Sequence, residues 1–146
     1  MKTRILIVDD EKEFTESMAE RLTIRDYDVT TALSGEDALK KVKGYNFDVV
    51  ILDVKMPGID GIETLREIKR IKPLTEVIML TGNATMETAI EGMQLGALDY
   101  LMKPCNNEAL VSKINRGYQR KAEQEELIRA AKVSDIISSP RSVLKE

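Results

Sequence analysis

At 146 residues with 42% apolar and 32% charged side chains, the chain has the length and balance of one globular domain with some residues to spare. A formal charge of -3, with Lys and Arg interspersed among Asp and Glu, argues against a general polyanion binder, and the absence of Trp removes one platform for stacking bases. With no His and one Cys, Cys105, zinc sites, His-based triads and internal disulfides are excluded, so any chemistry falls to carboxylates, hydroxyls and Lys.

Taken in order, Ile5-Leu6-Ile7-Val8 is a short β-branched run ending at Asp9-Asp10-Glu11, and it reads as a strand buried on both faces. Four apolar residues are too few for a signal peptide or a membrane span, so the expected location is cytoplasmic. Phe14, Met18, Ala19 and Leu22 recur at helical spacing and predict an amphipathic helix from about 11 to 24, with Asp10 or Glu11 at its N-terminus. Tyr27 to Ala32 predicts the second strand. Ser34 then starts a helix that Gly44 closes, with Ala38, Leu39 and Val42 as its apolar face.

Phe47 to Leu52 is the third strand, with Asp48 a polar residue near its start and Asp53 at its end. A Met56-Pro57-Gly58 turn follows, and Asp60 caps a helix running to about Ile71, with Ile62, Leu65 and Ile68 inward and Pro73 ending it. Val77 to Leu80 is strand four and ends at Thr81-Gly82-Asn83. Met86, Ala89, Ile90 and Met93 mark a fourth helix, Asp99 to Met102 a fifth strand ending at Lys103-Pro104, and Asn106 or Asn107 opens the last helix. That helix carries Leu110, Val111, Ile114 and Tyr118 on one face. It is expected to continue as a solvated extension to about Val133, before Ser138-Ser139-Pro140 breaks it.

Five alternations of strand and helix with short connections specify a doubly wound parallel sheet. In such a sheet ligands bind at the carboxyl ends of the strands, where Asp9, Asp10, Asp53, Thr81 and Lys103 all fall. Three neighbouring carboxylates repel unless a cation neutralises them, and an all-oxygen site open to solvent suits magnesium better than calcium. A carboxylate beside magnesium can attack a phosphoryl group and form an acyl phosphate, with Lys103 and the Thr81 hydroxyl stabilising the phosphoryl oxygens and Gly82 leaving room.

Val8-Asp9-Asp10-Glu11, Leu52-Asp53-Val54-Lys55-Met56-Pro57-Gly58-Ile59-Asp60-Gly61, Leu80-Thr81-Gly82 and Gly96-Ala97-Leu98-Asp99-Tyr100-Leu101-Met102-Lys103-Pro104 closely resemble the receiver domain of two-component response regulators. The resemblance covers residues 1 to about 120 and leaves 121–146 as a helical extension and tail or linker. It implies a flavodoxin-like α/β fold with five helices and strand order 2-1-3-4-5. It further implies that Asp53 accepts a phosphoryl group from a sensor histidine kinase or phosphotransfer protein. Asp9, Asp10, Asp53 and the backbone carbonyl of Lys55 would hold Mg2+. Thr81 and Tyr100 match the family's switch pair, Lys103 its phosphoryl-binding cation, and the Lys103-Pro104 peptide is expected to be cis. Lys55 and Asn83 occupy two positions that influence phosphoryl lifetime, and neither is acidic, which implies slow self-dephosphorylation.

The resulting expectation is a signalling phosphoacceptor rather than an enzyme. Its fourth helix, fifth strand and fifth helix form a surface for a downstream protein or a homodimer, with no nucleic acid or membrane bound directly by this chain. One alternative is the amino-terminal receiver of a longer transcriptional regulator. Another is an aspartyl-phosphate phosphatase, against which stands Lys55 where a second Asp would be needed.

Overall fold

The computed structural model describes residues 2–56, 60–82 and 85–138. Among them the chain forms five strands and five helices in strict alternation. These are β1 (Arg4–Val8), α1 (Lys12–Ile24), β2 (Asp28–Ala32), α2 (Gly35–Gly44), β3 (Val49–Leu52), α3 (Gly61–Ile71), β4 (Glu76–Thr81), α4 (Met86–Gln94), β5 (Asp99–Met102) and α5 (Asn107–Ser138). The strands make one parallel sheet in the order β2-β1-β3-β4-β5, as the resemblance implies.

The alternating side chains of each strand feed two separate cores. Leu6, Val8, Val50, Leu52, Val77 and Met79 face α2 and α3, where Ala38, Val42, Leu65 and Ile68 complete the layer. Ile5, Ile7, Val49, Ile51, Ile78 and Leu80 face the other way onto Met18 and Leu22 of α1 and Leu110 and Ile114 of α5. Because both faces are covered, the strands read as continuous apolar runs.

Local signals set most boundaries. The Ser34 hydroxyl accepts from the Asp37 amide, and the Asp60 carboxylate accepts from the Glu63 amide, so each supplies the first turn with an acceptor. Thr85 and Thr88 cap α4 reciprocally, and Gly96, at φ +105°, turns the chain out of that helix in a left-handed conformation. At the open edge of β2, the Ala32 carbonyl faces β1, which leaves that of Thr31 facing outward, where the Lys41 ammonium donates to it. The Tyr45 hydroxyl donates to Asp28 on the same edge.

Two regions differ from the sequence expectation. The apolar residues that mark α4 point outward, with Met86 81%, Ile90 52% and Met93 45% exposed, whereas Gly92 is the buried position. A Cβ on Gly92 would lie 2.3 Å from Met79 Sδ, so the helix rests on the sheet through the residue with no side chain. Helical spacing located the element but not the direction it faces. The last helix also runs further than expected, through Ser138 rather than Val133. The Pro57-Gly58 part of the turn, Asn83 and the Ser139-Pro140 break lie outside the described residues.

Candidate functional site

The ladder of the sheet continues one residue beyond the strands and fixes the site by its backbone. The Asp9 amide donates to the Ala32 carbonyl at 3.1 Å, that of Asp53 to Val8 at 2.9 Å, and that of Lys103 to Thr81 at 3.0 Å. Three polar residues just past the ends of β1, β3 and β5 are thereby held in register while their side chains extend past the sheet.

Their side chains converge. Carboxylate oxygens of Asp9, Asp10 and Asp53 all lie within 4.8 Å of one another, a set of hard oxygen donors able to coordinate a divalent cation. Asp9 and Asp53 are only 2% and 6% exposed, while Asp10 stands in solvent. Lys103 reaches into this group, its ammonium 2.5 Å from Asp9 Oδ2, 3.6 Å from Asp53 Oδ2 and 3.5 Å from Glu11 Oε1. The same ammonium sits 4.0 Å from the centroid of the Phe14 ring, which walls it in on α1.

One ammonium does not balance this charge. Burial pushes the Asp9 carboxyl above its usual range, and neighbouring Asp53 adds to the effect. The hydrogen bonds from Lys103 and the Glu11 amide pull it back without cancelling. For Lys103, burial opposes the charge but is outweighed by its bond to Asp9 and by the acids around it, so the ammonium is held above its ordinary pKa. The pair thus leaves Lys103 firmly charged and Asp9 still short of positive charge.

Beside the cluster, the Lys55 amide donates to Asp53 Oδ1 at 3.2 Å, so the loop after β3 already orients the carboxylate. Thr81 is buried at the end of β4, where its carbonyl receives the Lys103 amide. Tyr100 is not brought into the cluster: it is half-buried on β5, and its hydroxyl donates to Met102 Sδ at 2.7 Å among exposed atoms. Gly82 is exposed, and among the described residues a Cβ there would meet the Lys103 Cβ at 3.9 Å, an ordinary contact. The Lys103-Pro104 peptide is cis, as expected.

Three contributors were not read from the sequence as part of the site. Glu11, quoted only as the last residue of the first motif and as a helix start, and Phe14, read as the apolar face of that helix, were given no role beside Lys103, because nothing in their spacing relates them to it. Gly61 is the third. A Cβ on it would lie 2.2 Å from the Asp53 carbonyl and 2.4 Å from Val54 Cα, and its amide donates to Val54 at 2.8 Å. The first turn of α3 is therefore seated directly on the backbone that presents Asp53. A glycine one residue after a helix cap was the available signal.

Residues 5–115 match the family described as the response regulator receiver domain, and the chain belongs to that family. Receivers accept and release a phosphoryl group as signalling elements rather than turning over a separate substrate, and this chain is such a phosphoacceptor. The chain is 41% identical over 109 residues to the transcriptional regulatory protein ZraR of Salmonella typhimurium, covering 75% of this chain and 25% of that protein. Identity to the transcriptional regulatory protein TcrA of Mycobacterium tuberculosis is 40% over 111 residues, 76% of this chain and 44% of that one. The chain thus spans a quarter to under half the length of these relatives. Among solved structures, the CheY-like receiver domain protein from Methanospirillum hungatei superposes with a TM-score of 0.82 at 31% identity, over 85% of this chain and 99% of that one. Among the described residues no helix is long and apolar enough to cross a membrane.

Proposed function

We propose that Asp53 is the phosphoacceptor, that Asp9, Asp10 and the Lys55 carbonyl hold Mg2+ with it, and that Thr81 and Lys103 bind the incoming group. The observation that carries this reading is the convergence of three carboxylates, two of them buried, around a single ammonium that leaves Asp9 undercompensated. The donor set fits magnesium: it is all oxygen, open on the Asp10 side, and carries more negative charge than the single Lys103 ammonium balances. When bound, the ion neutralises the carboxylates and draws charge from the phosphoryl oxygens.

The protein's own residues do the rest. An Asp53 carboxylate oxygen bonds to phosphorus as the P–N bond of a phosphohistidine breaks, and the imidazole leaves with the electron pair and takes a proton from water. The Lys55 amide keeps the acceptor carboxylate oriented. Lys103, already 3.6 Å from Asp53, exchanges part of its pairing with Asp9 for the new phosphoryl oxygens. The Thr81 hydroxyl turns to the phosphoryl group, and the Tyr100 ring follows it inward from its place beside Met102. The consequence is felt at the groove of about 490 Å³ formed by Ala89, Ile90, Met93 and Tyr100, which is the expected contact surface for a downstream protein or a second copy.

The donor is read as a sensor histidine kinase or a phosphotransfer protein. Residues 1 to about 120 form the receiver and 121–146 an appendage. A second reading, the amino-terminal receiver of a longer transcriptional regulator, is favoured by the fact that the chain matches only 25% of ZraR.

Incubating the protein with acetyl phosphate and Mg2+, followed by intact mass and size-exclusion analysis, tests the assignment. The expected result is one added phosphoryl group on the wild type and none on Asp53→Asn. An unmodified wild type, or equal modification of the variant, would overturn it.

A further inference from the structure

The feature that the phosphoacceptor chemistry leaves unused lies at the opposite pole of the sheet, where β3 and β4 begin. Asp48 and Glu76 stand there side by side, each only 5% exposed, with the Glu76 amide donating to the Asp48 carbonyl at 3.1 Å. Two consecutive bases of α5 reach them. Lys121, 2% exposed, places its ammonium 3.3 Å from Asp48 Oδ1, and Arg120 Nε lies 3.5 Å from Glu76 Oε2.

Both acids are themselves anchored. The Arg4 amide donates to Asp48 Oδ2 at 2.8 Å and its guanidinium lies 3.3 Å from Oδ1, while Lys69 stands 3.9 Å from Glu76. One turn earlier, α5 rests on the sheet at Gly117, where a Cβ would lie 3.0 Å from Val49 and 3.3 Å from Leu98. Beyond Ala122 every residue of the helix through Ser134 is exposed. The two ion pairs therefore join helix and sheet edge at the turn where α5 passes from buried to exposed residues.

A buried ion pair adds little stability over apolar packing, because desolvation offsets the attraction, but it is directional in a way that apolar packing is not. Methylene packing would let the helix roll or tilt at this point. An ammonium held between Asp48 and Glu125, with a guanidinium on the other flank, permits one heading. We propose that Lys121, assisted by Arg120, is a positioning residue that locks the heading of α5 as it leaves the domain, making residues 123–134 a rigid arm of the receiver. This goes beyond phosphoryl acceptance and does not depend on it.

The test uses the full chain with Cys105→Ser and nitroxide labels at two exposed positions, Lys40→Cys on α2 and Ala130→Cys on α5. The interlabel distance distribution is read by pulsed electron paramagnetic resonance. The labelled parent is expected to give one narrow distribution, with Lys121→Met losing that narrowness and Arg120→Gln broadening it less. Hydrogen exchange over β1, β3 and β4 reports whether each variant keeps its sheet. A narrow distribution in Lys121→Met with the sheet intact, or a broad one in the parent, would overturn the proposal. Should Lys121→Met not fold, Lys121→Gln is measured in its place under the same criteria. If neither folds, the pair supports the domain itself rather than steering the helix, and the proposal fails.

Discussion

At Asp9, burial and charge pull in opposite directions, and the sign of the result can be measured. Its carboxyl is raised above the usual range in the fold, so protonation favours the folded state. That contribution is complete below the unfolded pKa and is lost as pH rises through the folded one. In metal-free buffer, Asp9→Asn should therefore gain stability relative to wild type between acid and neutral pH, measured as the difference in urea midpoints. Saturating Mg2+ should raise the wild-type midpoint and move Asp9→Asn much less. A difference that stays flat with pH would show that Asp9 is adequately compensated by Lys103.

Lys103 provides the converse case. Lys103→Met removes the ammonium from Asp9, Asp53 and Glu11 together and should cost about 2 kcal/mol without metal, since Asp9 can take up a proton instead of bearing the full penalty. The same variant should accept phosphoryl groups from acetyl phosphate more slowly while still binding Mg2+, which separates cation binding from phosphoryl binding. Asp53 itself was legible in the sequence because a carboxylate ended an apolar strand. Glu11 and Phe14 were not, because their relation to Lys103 crosses from α1 to the end of β5 and leaves no periodic trace.

Among the elements, α3 is the one whose seat matters most to the site. Gly61→Ala would drive a methyl group into the Asp53 carbonyl and Val54 Cα, both backbone atoms that cannot step aside as a flexible side chain would. A loss of about 3 kcal/mol is expected, with slowed phosphoryl uptake because the acceptor loop must move. Gly92→Ala clashes with the flexible end of Met79, touches Leu65 Cδ2 at an ordinary 3.7 Å, and should cost about 1 kcal/mol with little effect on uptake. Thermal unfolding and acetyl phosphate kinetics on the two variants check the contrast.

Element identity was readable throughout, since apolar runs gave the strands, and Ser34 and Asp60 marked helix starts that the structure confirms as caps. The orientation of α4 was not. Its Met and Ile residues carry the helical period while facing out, and the inward contact is made by Gly92, which a search for apolar faces passes over.

For the whole molecule, the parallel arrangement separates two polar regions by the length of the strands. Asp9, Asp53 and Lys103 occupy the carboxyl ends, and Arg4, Asp48, Glu76 and Lys121 the amino ends. The first region was legible because polar residues after apolar runs are unusual there, and the second was not. Asp48 read simply as a polar residue near the start of a strand, and its partner lies 73 positions away on a helix that read as solvated.

The guarded rim of β2 bears on how copies of this protein can meet. With Lys41 occupying the outward carbonyl of Thr31 and placing a cation on this edge, a neighbouring chain loses one backbone acceptor to pair with, and continuation of the sheet from one molecule into the next is disfavoured. Association at that rim would first have to displace a cation, so self-assembly is steered toward side-chain faces such as the Met-rich surface of α4. A contact made by side chains can be formed and undone as a helix shifts, whereas a shared sheet tends to be permanent. For a protein whose signal must be reversible, Lys41 acts as a safeguard.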